Sequence, residues 1–154
     1  MSGVNRGNPK VYTEAEGDSF ARGARKAWFD YPGGFTIVSN VMWQALADGV
    51  LGGESLRVLG YMLSKAKRNN RFEGTQAKIA EALGIKPPNV SRAFRELREA
   101  GFIIRVNEPS GCRFWYVDAR RAFRGSAKWH APVLERQSRQ RDRDRRVNVV
   151  PFAA

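Results

Sequence analysis

The chain holds one cysteine, one histidine and 15 Asp+Glu against 27 Lys+Arg among its 154 residues. A lone Cys112 excludes an internal disulfide and a thiolate cluster for zinc, and its expected place is that of a small side chain beside a turn rather than a redox sensor. A lone His130 cannot build the paired-histidine metal site of DNA-nicking enzymes, so it is expected at the surface or in packing. No apolar run approaches the roughly 20 residues that span a bilayer. The first ten residues, MSGVNRGNPK, are polar and lack a signal-peptide core, which places the chain in the cytoplasm by expectation. Neither the G-x-x-x-x-G-K-[ST] phosphate loop nor a G-x-S-x-G nucleophile turn occurs. The expectation is therefore a protein that is not an enzyme and carries no cofactor or metal.

What is abundant is positive charge. The formal net charge is +12 with a pI near 10.7, and half of the excess lies in residues 107–154, where 11 Lys/Arg meet 5 Asp/Glu. Such a balance favours a polyanionic partner, nucleic acid or an acidic membrane, over a merely soluble basic surface. The length fits one compact domain with less ordered ends.

Residues 1–27 mix glycine, charge and small side chains without periodicity and read as a flexible arm. From Phe35, the run FTIVSNVMWQALADG reads as a short β-like stretch, then an N-cap at Ser39 or Asn40, then a first helix with Val41, Met42, Ala45 and Leu46 at helical spacing. A second helix follows in GGESLRVLGYMLSKAKRNNR, with Leu56, Leu59, Met62, Leu63 and Ala66 on one stripe that faces either the core or a dimer seam. In GTQAKIAEALGI, Thr75 can cap a third helix, Ile79, Ala80 and Leu83 form its apolar stripe, and Gly84 turns the chain out. Pro87-Pro88 suit the first turn of a fourth helix, which ends before Gly101. FIIRV and RFWYV around a short turn with Pro109 and Gly111 predict a β-hairpin.

That order is mainly α with a small β-hairpin, an α+β winged helix-turn-helix. The steric demands of the crossing, a small residue, a turn glycine and a branched apolar residue, are met in sequence by Ala80, Gly84 and Val90. The expected winged domain covers residues 28–130, followed by an Arg-rich C-terminal tail over 131–154.

On the fourth helix Val90, Ala93, Phe94 and Leu97 share one side, which leaves Pro88, Arg92, Arg95 and Glu99 outward and Asn89, Ser91 and Glu96 on the flanks. Arginine can donate two parallel hydrogen bonds to guanine and asparagine can pair with adenine, so Arg92 and Asn89 are the candidates for reading bases. Ser91, Arg95 and Lys86 are candidates for the phosphate backbone, with Thr75 and Gln76 joining from the start of the third helix. The alternative is a solvated face in which Arg92 pairs with Glu96 and Arg95 with Glu99 at i,i+4 spacing. Arg105 and Arg113 flank the hairpin turn and could reach a minor groove or adjacent phosphates. Of Trp115 and Tyr116, one is expected to face the core, the other being free to stack on a base. The tail, with six arginines between Arg136 and Arg146, is either a phosphate-tracking arm, a helix formed on binding, or a solubilising segment. VNVVPF beyond it is apolar enough to dock on a partner or on the domain.

The helix pair ending SKAKRNN, the core TQAKIAEALGIKPPNVSRAFRELREAGFI and the aromatic strand followed by AFRGSAKW resemble the RepL-type plasmid replication proteins from Trp28 to about Trp129. The chain departs from that pattern at Asp118-Ala119, where the family tends to have an asparagine–proline pair. The resemblance implies a winged-helix protein whose Pro88, Asn89, Ser91 and Arg92 lie at the binding end of the recognition helix. It further implies a role at the replication origin of a plasmid or similar element, recruiting host replication proteins. A transcriptional repressor with the same fold, and a low-specificity DNA-coating or partition protein, are the alternatives. A homodimer on two half-sites is expected, with no membrane partner and a nucleoid- or plasmid-associated location.

Overall fold

In the computed structural model, which describes residues 36–125 and 127–148, the chain leaves strand β1 (Ile37–Val38) through Ser39 at extended angles and enters helix α1 (Asn40–Ala47). The Met42 N–H donates to the Ser39 hydroxyl, so of the two cap candidates Ser39 is the one used. The expected arm over 1–27, Trp28 with Phe29, and the end of VNVVPF from 149 onward lie outside the described residues.

Helix α2 (Gly53–Lys65) buries Ser55, Val58, Leu59 and Met62, with Ala66 just beyond its end, and leaves Leu56 40% exposed. The buried stripe therefore runs through Ser55 instead of Leu56. The physical reason is Glu96, whose carboxylate accepts from the Ser55 hydroxyl and makes a polar residue acceptable at that position. A 3₁₀ turn (Arg68–Asn70) with Asn69 and Asn70 at φ 66° and 67° then leads into strand β2 (Arg71–Phe72).

Helix α3 (Gln76–Leu83) starts at Thr75, whose hydroxyl accepts from the Lys78 N–H at 3.3 Å, and stops at Gly84, which is left-handed at φ 62°. A Cβ on Gly84 would meet nothing within 4 Å, so the cost of a side chain there is purely conformational. Gly84→Ala is expected to lower stability by about 1–2 kcal/mol in chemical denaturation; no change would show that the turn relaxes out of the left-handed region.

Helix α4 (Pro87–Glu99) has its prolines at the first two positions, where no intrahelical N–H bond is lost. Val90, Ala93, Phe94 and Leu97 are all buried, as their spacing predicts. Strands β3 (Ile103–Asn107) and β4 (Arg113–Val117) form the hairpin in a register running from Ile103 opposite Val117 to Asn107 opposite Arg113. Its turn is closed by Glu108 N–H donating to the Cys112 carbonyl and by Gly111 at φ 82°. Strand β2 adds to the far side of β4, giving the order β2-β4-β3, while β5 (Ala122–Phe123) pairs with β1 in a separate two-stranded sheet. Helix α5 (Ala127–Asn148) runs through positions 130–131 and takes in most of the expected tail.

The main core gathers Val58, Leu59 and Met62 of α2, Ile79 of α3, Val90, Phe94 and Leu97 of α4, with Phe102, Ile103 and Val117 from the hairpin side. The opposite hairpin face carries a second cluster of Ile104, Val106 and Tyr116. Val133 of α5 packs with Ala119 and Phe123. Gln137, fully buried, accepts from the Ala119 N–H and donates to the Val117 carbonyl, and Gln140 accepts from the Asn107 N–H. The Arg-rich segment is thus a helix docked by buried glutamines, each satisfying backbone groups that would otherwise be orphaned. Among the described residues no helix is long and apolar enough to cross a membrane, and no group of three acidic, histidine or cysteine side chains could hold a metal.

Candidate nucleic-acid interface

Helices α3 and α4 cross with Ala80 and Val90 buried between them and Gly84 in the turn, which fixes how far α4 projects. Because Val90, Ala93, Phe94 and Leu97 are taken by the core, Pro88, Ser91, Arg92, Arg95 and Glu99 are exposed on the outside of α4. Lys86, at the cap position of α4, is exposed as well.

Two candidate residues are held by partners far away in sequence. Asn89 is half-buried, and its amide donates to Glu54 Oε1 on the first turn of α2 at 3.1 Å. Ser91 Oγ donates to Gln76 Oε1 at 2.8 Å, so Gln76 and Ser91 are brought together across the turn. Thr75 lies next to this pair in sequence, with its hydroxyl engaged in capping α3. Glu54 carries no sign of this contact in the sequence, since a first-turn acid is ordinary helix chemistry.

The i,i+4 alternative does not form. Neither Arg92 nor Arg95 enters an ion pair among the described residues. Glu96 faces α2 instead, accepting from the Ser55 hydroxyl and, at 2.8 Å, from the Gly52 N–H. The Ser55 bond, then the Gly52 N–H, hold its carboxyl below the ordinary value of 4.5, against a smaller opposing effect of burial. A depressed folded-state value means that this contribution is complete above 4.5 and is lost as pH falls through the lowered value. The stability gap between wild type and Glu96→Gln is therefore expected to be widest near neutral pH and to close in acid, measured by urea unfolding at pH 7 and pH 3. A constant gap at both would sink the assignment.

The hairpin presents a second basic surface. Arg105, opposite Trp115 in the ladder, lies over its ring with the guanidinium carbon 5.5 Å from the centroid, and Trp115 meets Phe94 of α4 edge to face at 5.2 Å. Trp115 thus ties the wing to the recognition helix and holds Arg105 on the outside. Arg113, opposite Asn107, is exposed beside the turn. Tyr116 is 1% exposed on the other face, and burial, with Glu108 accepting from its hydroxyl, pushes the phenol up to about 12. Both rings are engaged in packing, so neither is left as a stacking platform. His130 packs against the Phe123 ring at 4.7 Å with Nε2 2.9 Å from the Ala119 carbonyl, while Cys112 is exposed at the hairpin turn.

Residues 56–111, from α2 through the hairpin turn, match the family of Crp-like helix-turn-helix domains. No curated protein sequence matches the chain at a significant level. Among solved structures, similarity is found to the PcaV transcriptional regulator of Streptomyces coelicolor in complex with its natural ligand, at 15% identity over 100% of this chain and 87% of that one, with a TM-score of 0.34. An S. aureus MepR–DNA complex matches at 20% identity over 93% and 87%, TM-score 0.33, and a cysteine-to-serine mutant of Lactococcus lactis ZitR at 17% over 90% and 82%, TM-score 0.34. Scores this low carry no argument about the role of this chain. The finer resemblance to RepL-type replication proteins gains no support from these matches. The match over 56–111 and the α3–turn–α4–hairpin geometry agree on a winged helix-turn-helix, a DNA-binding fold, in a segment similar to Crp-like domains.

Proposed function

We propose that this chain binds duplex DNA sequence-specifically through α4 and acts as a transcriptional regulator, repressing by occupying a promoter. The observation that carries the reading is the outward face of α4, where Arg92 and Arg95 are exposed without carboxylate partners among the described residues, beside Asn89 and Ser91. Arg92 and Asn89 would read base edges in the major groove; Lys86, Ser91, Arg95, Thr75 and Gln76 would hold phosphates. Arg105 and Arg113 would extend the contact from the wing. The match to Crp-like domains favours transcription over replication as the setting.

Arg92→Ala is expected to lower discrimination at one base pair by about 1–3 kcal/mol, whereas Arg95→Ala weakens specific and random DNA alike. Binding titrations on single-substituted duplexes check both; equal losses on specific and random DNA for both variants would defeat the division of roles.

The experiment that tests the function is sequencing of DNA fragments retained by the purified full chain from its host's total DNA, plasmids included, at near-physiological salt. Peaks over promoters are expected, with a two-fold repeat about one helical turn apart if two copies bind together. One sharp peak at a replication gene would move the role to initiation, and flat enrichment would overturn sequence-specific binding altogether.

A further inference from the structure

The C-terminal half of α5 and the edge of the wing enclose an open groove of about 1180 Å³. Eight arginines and three carboxylates line it, a surplus of five positive charges. One wall is Arg98 in the last turn of α4 with Arg105 and Arg113 of the hairpin; the other is Arg143, Arg145 and Arg146 of α5. All six are exposed, and none enters an ion pair among the described residues. The carboxylates offset them only in part: Asp118 is already paired with Arg120 and Arg141, while Asp144, bonded to the neutral Gln140 amide, keeps its charge. Only Glu99 stands without a partner among the described residues.

From this juxtaposition we infer that the groove holds the sugar-phosphate backbone of duplex DNA flanking the site read by α4, so that α5 lengthens the footprint without adding sequence information. The inference rests on the proposed DNA-binding reading, since it makes the wing one wall of the same contact. Three features favour a long polyanion. The groove is open to solvent, its donors are guanidinium groups that pair with phosphate oxygens, and its two walls come from separate elements. The arrangement costs little to maintain, because buried Gln137 and Gln140 dock α5 on the domain and leave the arginines free to face outward. Held in a helix, these side chains lose less freedom on binding than they would in an unstructured arm.

The test is the triple variant Arg143→Ala, Arg145→Ala, Arg146→Ala of the full chain, beside the corresponding triple lysine variant. Alanine keeps the helix, which circular dichroism verifies. Affinity for the selected duplex and for a random duplex is measured across salt concentrations. Each lost phosphate contact removes about 0.9 from the slope of log K against log salt, so the alanine variant is expected to be shallower by about 2–3 on both duplexes. The lysine variant should restore the slope, sequence discrimination should be unchanged, and the footprint should shorten at its flank. An unchanged slope and footprint overturn the inference. If the wild type fails to discriminate sequences, the specific-binding reading falls by itself, and the slope on random DNA still decides whether the groove holds phosphates.

Discussion

Replacing Asn70 by alanine is expected to lower the unfolding free energy by about 3–5 kcal/mol, the largest effect of any single polar residue in the described chain. Asn70 is 1% exposed, and its amide nitrogen donates to the carbonyls of Val117 at 3.1 Å and Ala122 at 2.6 Å. Its carbonyl oxygen accepts from the Arg124 N–H at 2.7 Å. One side chain therefore joins the exit of α2 to the end of β4 and to β5, on both sides of the corner that leads to α5. Two buried bonds and one part-buried bond, at about 1–1.5 kcal/mol each, form the main loss. The left-handed backbone at φ 67° adds about 1 kcal/mol, because asparagine tolerates that region better than alanine does. Asn69 has the same backbone sign at φ 66° and takes none of these three bonds, so Asn69→Ala should cost only the backbone share. Equal losses at the two positions in chemical denaturation would remove the side chain from the account.

The contrast with the helix-turn-helix explains what a reader of the sequence can and cannot see. Val90, Ala93, Phe94 and Leu97 announce the buried side of α4 because a helix repeats locally, and Thr75 and Gly84 mark the ends of α3 for the same reason. The outward residues of the candidate site follow by subtraction. Asn70 offers no such pattern, since its partners are 47, 52 and 54 residues away. Glu96 is misleading in a similar way: its spacing to Arg92 suggests a solvent pair, yet Gly52 and Ser55 claim it. Strand β1 shows in the sequence as the short β-like stretch from Phe35, whereas its partner β5, two residues at the other end of the domain, has too little period to be recognised alone. In α5 the docking residues are Gln137 and Gln140, polar types that cannot be told from their arginine neighbours until the backbone groups they satisfy are in place.

Removing the Asp118 carboxylate is the second large perturbation, and Asp118→Ala is expected to cost about 2–4 kcal/mol. The side chain is 3% exposed and receives the Arg120 N–H at 2.9 Å, the Arg120 guanidinium at 2.7 Å and the Arg141 guanidinium at 3.0 Å. The two arginines are not equivalent. Arg120 has 55% of its side chain in solvent, where an ion pair contributes little, about 0–1 kcal/mol. Arg141 has 21%, and burial pulls its guanidinium down from the ordinary range while Asp118 opposes that pull. Without the carboxylate, Arg141 keeps the desolvation and loses its compensation, so α5 should loosen at this point first. Asp118→Asn would keep an acceptor for the Arg120 N–H yet turn an amide donor toward guanidinium donors, which places it between alanine and wild type. Double-mutant cycles separate the contributions: the coupling of Asp118 with Arg141 should exceed its coupling with Arg120 by about 1 kcal/mol or more. The reverse order would mean that the carboxylate orders its own turn, and that α5 is held by Gln137, Gln140 and Val133 alone.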